Sequence, residues 1–206
     1  MAVNNVFRRN GIISLLIIST LFINLSTCAY TKDIPSVDFE TYNARHCYDV
    51  LRYYEMLYDI PQDLLFAIAI QETGKPHSRH GKIVVWPWSV NINGTGHRFD
   101  TKRKAIKFVQ EQIHKGVKSI DIGLMQINIL YHPHAFDSVE CAFDIYSNIR
   151  YAAYFLRSCY NDLQDWSKAV ARYHSAHKHH ADKYHYNVAK IISNLNHYKK
   201  TLQILQ

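Results

Sequence analysis

A mostly α-helical single domain carrying a small β hairpin is the fold this sequence predicts, and three observations predict it. From about residue 38 onward, apolar residues recur at helical spacing through most of the chain. One segment, Lys82 to Phe99, breaks that rhythm. Its β-prone runs, Ile83-Val84-Val85-Trp86 and Trp88-Ser89-Val90-Asn91-Ile92, precede Asn93-Gly94, the strongest short hairpin signal in the chain. No internal repeat or low-complexity linker divides the 206 residues, a length that suits one well-filled core.

The elements follow in order. Residues 1–29 read as a secretory signal peptide: Arg8 and Arg9, then the apolar block Gly11 to Leu25, then the small residues Ser26-Thr27-Cys28-Ala29. The block is about 15 residues long, short for a membrane span. Cleavage after Ala29 is the expectation, leaving 30–206 as an exported domain. Two alternatives are an uncleaved anchor and a lipid attached at Cys28, although Thr27 is bulky for a lipidation box. Asp38 to Tyr58 places Tyr42, Cys47, Val50, Leu51, Tyr54 and Leu57 at helical spacing. A second helix is expected from Pro61, whose missing N–H is tolerated in a first turn, with Asp63 favourable to the dipole. Gly74, Pro76 and Gly81 break it. After the hairpin, Asp100 or Thr101 caps a helix from about Lys102 to Lys115, and Gly116 stops it. Ser119 to Asn128 reads as a short apolar connection, and further helices are expected at about Ser147–Tyr160, Trp166–Tyr173 and Tyr184–Leu202.

Charge and cysteines narrow the function classes. The net charge of +7 suits an anionic polymer or surface. Export argues against nucleic acid, and no nucleic-acid motif is present. Cys47, Cys141 and Cys159 follow the leader, so a bridge from Cys47 to Cys141 or to Cys159 leaves one thiol free. No Cys/His spacing suggests zinc, so neither a metal nor another cofactor is expected.

Three stretches could carry chemistry. In Leu64-Leu65-Phe66-Ala67-Ile68-Ala69-Ile70-Gln71-Glu72-Thr73, the residues Leu65, Ile68, Ala69 and Glu72 fall on one helical stripe. The acid is then either buried, with a raised pKa, or tipped into solvent at the helix end. Gly123-Leu124-Met125-Gln126-Ile127-Asn128 offers a close backbone approach, a polarizable side chain and two amides that can read hydroxyl and acetamido groups. Taken alone, it is better explained as a buried strand with capping amides. Ala171-Arg172-Tyr173-His174-Ser175-Ala176 delivers a tyrosine at the end of a small-residue helix, where its phenol could bond a buried carboxylate.

In order and spacing, Glu72-Thr73, Gly123-Leu124-Met125-Gln126 and Ala171 to Ala176 resemble the Glu-Ser, Gly-Leu-Met-Gln and Ala-Tyr-Asn motifs of the soluble lytic transglycosylases. Phe143 to Ile149 resembles that family's approach to its next helix. The resemblance spans about Tyr42 to Ala176 and implies a lysozyme-like fold acting on peptidoglycan in the bacterial periplasm or cell envelope. Thr73 stands where serine is usual and His174 where asparagine is usual. About 50 residues separate Glu72 from Gly123, more than many members have. The excess, residues 82–116, is similar to a subgroup with Trp-Pro-Trp ahead of Asn-x-Asn-Gly.

The resemblance implies that Glu72 is the acid and base of the reaction and that Tyr173 orients it. Gln126, with the backbone of Gly123, Leu124 and Met125, would hold the sugar at the cut, assisted by Thr73, Asn128 and His174. Trp86 and Trp88 form either a cleft wall or a hydrophobic plug under the hairpin. Asp121 and Asp137 are second carboxylates if the mechanism is hydrolytic, and turn or capping residues otherwise. Five histidines lie between His174 and His185. Their spacing matches no closed metal pattern, and they read as a basic loop entering the last helix. The implied protein is a monomer acting on glycan strands, with an envelope secretion complex as a further partner. Its alternatives are a hydrolytic muramidase of the same fold and a non-catalytic wall-binding protein.

Overall fold

The computed structural model describes residues 38–175 and 178–203. The expected leader, residues 1–29, and Cys28 lie outside them.

Helix α1 (Phe39–Leu57) starts at Asp38, whose carboxylate accepts from the Thr41 amide at 3.1 Å. Its stripe Cys47, Val50, Leu51 and Tyr54 enters the core. Helix α2 (Leu64–Thr73) begins three residues later than Pro61 suggests. The Leu64 amide closes a turn onto the Pro61 carbonyl, and Asp63 adopts a left-handed φ of 67° with no side-chain cap. The cap comes from another helix. Glu55 of α1, fully buried and paired with Arg52, accepts from the amides of Asp63 (2.9 Å) and Leu65 (2.8 Å). A tertiary carboxylate thus satisfies the orphan donors and faces the positive end of the helix dipole. Asp63 is freed to bind Lys199 at 2.5 Å and Tyr48 at 3.1 Å. Every residue from Leu64 to Ile70 is buried, so α2 is the axis of the main core.

A minimal antiparallel pair follows, β1 (Lys75–Pro76) with β2 (Ile83–Val84). The predicted hairpin is β3 (Ser89–Ile92) and β4 (Thr95–Arg98), turned by Asn93 and Gly94 with φ of 52° and 82°. Both turn residues are left-handed, which matches the twist of the strands. Helix α3 (Lys102–His114) is capped by Thr101. The expected connection Ser119–Asn128 is instead two strands, β5 (Ile120–Ile122) and β6 (Ile127–Asn128), and the sheet runs β4-β3-β5-β6. Pairing against β3 decides this, since β5 has too few residues to form a strand alone.

Short α4 (Val139–Ala142) leads to α5 (Ile145–Leu163), which is capped by Asp144, and then to α6 (Trp166–His174), capped by Asp165. The single helix expected at Tyr184–Leu202 is two, α7 (Lys178–Ser193) and α8 (Leu195–Gln203). Helix α7 begins inside the histidine run, so residues from Lys178 to His185 are helical rather than loop. It packs on α2 and α6 through Ala181, Tyr184, Val188 and Ile191.

A second, smaller core lies under the sheet and α3. Trp86 and Trp88 belong to it, 4% and 8% exposed and edge-to-face at 5.1 Å, with Phe39 stacked on Trp88. The Trp86 indole N–H donates to the Phe99 carbonyl at 2.8 Å. The tryptophans are therefore the plug under the hairpin, not a cleft wall. Cys47, Cys141 and Cys159 are all free thiols, so the bridge from Cys47 to Cys141 or Cys159 is not formed. Cys47 and Cys159 fill the apolar core as small hydrophobes.

Candidate active site

Glu72 occupies the last turn of α2, half-buried, at the point where the core helix meets a cleft of about 240 Å³. Asn91, Asp121, Gln126, His132, Tyr173 and His174 also line that cleft. Burial lifts the Glu72 carboxyl from 4.5 to about 7; a hydrogen bond from Tyr184 restrains the rise and the charge of Asp121 adds to it. A carboxylic acid of this kind is protonated near neutral pH and can still release its proton. Of the two readings of the stripe, burial is the observed one.

The phenol that meets Glu72 is not Tyr173. Tyr184, on α7, donates to Glu72 Oε1 at 2.6 Å, and Tyr173 donates to the Met125 carbonyl at 2.9 Å. Tyr184 is 3% exposed and lies flat on His174, with ring centroids 4.4 Å apart and 1° between planes. One sequence signal could have found it. Ala181, Tyr184, Val188 and Ile191 form a buried stripe once α7 is extended back to Lys178, and a buried tyrosine needs a hydroxyl partner. Tyr173 instead ties α6 to the turn between β5 and β6.

That turn is held by Asn148 of α5, which is 1% exposed. Its Nδ2 donates to the carbonyls of Ile122 and Ala142, each at 3.0 Å, and its Oδ1 accepts from the Met125 amide at 2.8 Å. Gly123 has φ of 85°, and a Cβ there would lie 2.4 Å from Asn148 Nδ2. The close approach that requires glycine is to this asparagine. Leu124 and Met125 are buried in the main core and do not line the cleft. Gln126, with φ of 48°, lines the cleft and donates from Nε2 to the Gly123 carbonyl at 2.8 Å. Thr73 is 1% exposed; its hydroxyl lies 3.1 Å from the carbonyls of Ala69 and Leu124, so it ties α2 to the turn rather than reaching a sugar.

The sheet supplies the opposite wall. Asn91, Asp121 and Asn128 are in register on β3, β5 and β6, so all three share one face of the sheet. The alternate rows, Val90-Ile122-Ile127 and Ile92-Ile120, are apolar, and Val90, Ile120 and Ile122 enter the second core. Asn128 uses its amide within the protein, donating to Asp121 (2.7 Å) and Ser119 (3.0 Å) and accepting from the Leu130 amide (3.0 Å). Asp121 is half-buried on the cleft, and desolvation raises its pKa against the pull of the Asn128 hydrogen bond. It is thus a second carboxyl of the site rather than a turn residue. His132 and Phe155, also on the cleft, were not anticipated. Among the described residues no group of three or more His, Cys, Asp or Glu is placed to ligate a metal.

The model of the Transglycosylase SLT domain matches residues 49–196, a span that contains Glu72, Asp121, Gln126, Tyr173 and Tyr184. No curated protein and no solved structure matches the chain. The mostly α architecture, its small sheet and the matched span agree, and the chain belongs to the transglycosylase SLT domain family, with a lysozyme-like fold and an activity directed at peptidoglycan.

Proposed function

We propose that the cleft breaks the β-1,4 bond between N-acetylmuramic acid and N-acetylglucosamine and leaves a 1,6-anhydromuramoyl end. The observation that carries this reading is Glu72, a carboxyl raised to about 7 and fixed by Tyr184 at the cleft. Its proton goes to the departing O4 as the C1–O4 bond breaks. The carboxylate left behind takes the proton of the muramoyl C6 hydroxyl, whose oxygen closes onto C1. Glu72 ends protonated, as it began, and no water is consumed. The substrate's own acetamido oxygen stabilises positive charge at C1, and Gln126 holds the flanking sugar from the cleft wall.

A hydrolytic muramidase is the second reading, and Asp121 favours it. Two carboxyls on one cleft is the arrangement that water-consuming glycosidases need. Mass spectrometry of digested peptidoglycan separates the two: anhydro ends support the first reading, reducing ends the second. A purely wall-binding role predicts that wild type and Glu72→Gln release no fragments alike. Export to the periplasm or envelope, with residues 1–29 as leader and an envelope secretion machine as client, completes the proposal. Its warrant is the leader-like pattern and the substrate class.

A further inference from the structure

Among the described residues, one buried side-chain oxygen has no hydrogen-bond partner: Oδ1 of Asn91. Such an orphan is costly, and native structures rarely carry one without a reason. Asn91 is not on a slack loop. It sits within β3, in register with Asp121 on one side and with Gly96 of β4 on the other. It lines the same cleft as Glu72.

The neighbours in that row cannot complete it. Asp121, as a carboxylate, only accepts, and it already takes the Nδ2 of Asn128. Gly96, its partner on β4, has no side chain and so offers no side-chain donor. The cleft is the remaining source of a donor. The terminal torsion of asparagine is soft, so its oxygen can turn toward a ligand.

We propose that Asn91 is a substrate-reading residue: its carboxamide pairs with an acetamido group of the bound glycan, Oδ1 accepting the acetamido N–H. An amide is the best match because it offers a donor and an acceptor side by side, as Asn91 does. A hydroxyl donor is better served by the adjacent Asp121. The β3–β4 hairpin, part of the insertion between Glu72 and Gly123, thereby contributes a recognition group as well as a lid on the second core. The inference rests on the cleft being a peptidoglycan glycan site.

The test uses the full chain carrying Glu72→Gln, so that sugar is not consumed, with Asn91→Ala and Asn91→Leu added separately. Calorimetric titration with an N-acetylglucosamine oligomer should show affinity reduced about tenfold in both, the worth of one good hydrogen bond. The preference of the parent for that oligomer over a cellulose oligomer should shrink to the same degree. Thermal melts should show both variants at least as stable as the parent, because an unsatisfied acceptor has been removed. Unchanged affinity in both variants, with the parent binding well, overturns the role of Asn91 alone. Lower stability accompanying weaker binding overturns it too, by making Asn91 structural. A parent that binds no N-acetylglucosamine oligomer overturns the glycan reading, and this inference with it.

Discussion

Glu72→Gln should stabilise the protein at alkaline pH and leave it unchanged in acid. The Glu72 carboxyl sits at about 7 in the fold against an ordinary 4.5. The folded state therefore binds this proton more tightly than the unfolded chain. Stability from the protonated group is full below pH 4.5 and is lost as pH rises through 7. At about 1.4 kcal/mol per pH unit, the displacement from 4.5 to about 7 amounts to roughly 3 kcal/mol. Glutamine is nearly isosteric, cannot ionise, and keeps an oxygen for the Tyr184 hydroxyl. The variant should thus gain nothing at pH 4 and about 3 kcal/mol at pH 8.5, or about 6–12 °C in Tm for a domain of this size. Urea unfolding of both proteins across that pH range measures the difference. A gain that does not grow with pH, or a variant less stable than wild type at pH 8.5, would refute the buried-acid argument. The same variant should release no fragments from peptidoglycan at any pH, so activity and stability move in opposite directions.

The other predictions concern the groups around the acid. Tyr184→Phe removes the hydrogen bond that restrains Glu72, so the alkaline limb of the kcat/KM profile should move to higher pH, with activity down about tenfold. Tyr173→Phe should leave that limb in place and destabilise the fold by about 1–3 kcal/mol through the Met125 carbonyl, measured by denaturant unfolding. Asp121→Asn should move the alkaline limb to lower pH, since a charge that lifts Glu72 is gone. A loss in kcat of about tenfold or less fits transglycosylation, and one beyond about 100-fold fits a required second carboxylate. Asn148→Ala strips three hydrogen bonds from the β5–β6 turn and should cost at least about 3 kcal/mol in urea unfolding, while Gly123→Ala should be destabilising through its 2.4 Å clash and positive φ.

Local chemistry made much of this legible from sequence. Asn93-Gly94 is a hairpin because both residues accept left-handed backbone, and Thr101 and Gly116 bound a helix for reasons contained in a few residues. The apolar run from Leu64 to Ile70 could only be a core element, which made its terminal acid conspicuous. Misjudged features depend on partners distant in sequence. Helix α2 starts at Leu64 because Glu55 caps it, and no local rule weighs that against Pro61. Residues 120–128 are strands because β3 lies beside them.

By itself the sequence determined the helical class, the hairpin and the central helix, and it placed Glu72 at that helix's end, because periodicity, turn geometry and burial of an apolar run are properties of short segments. Only the tertiary structure decided which tyrosine meets Glu72, that Asp121 shares its cleft, that Trp86 and Trp88 are core, and that Asn91 is left without a donor. Those outcomes depend on how separate elements approach one another. A hydroxyl from the middle of α7 and one from the end of α6 have the same chemistry, and the way the helices pack assigns one to the acid and the other to a carbonyl.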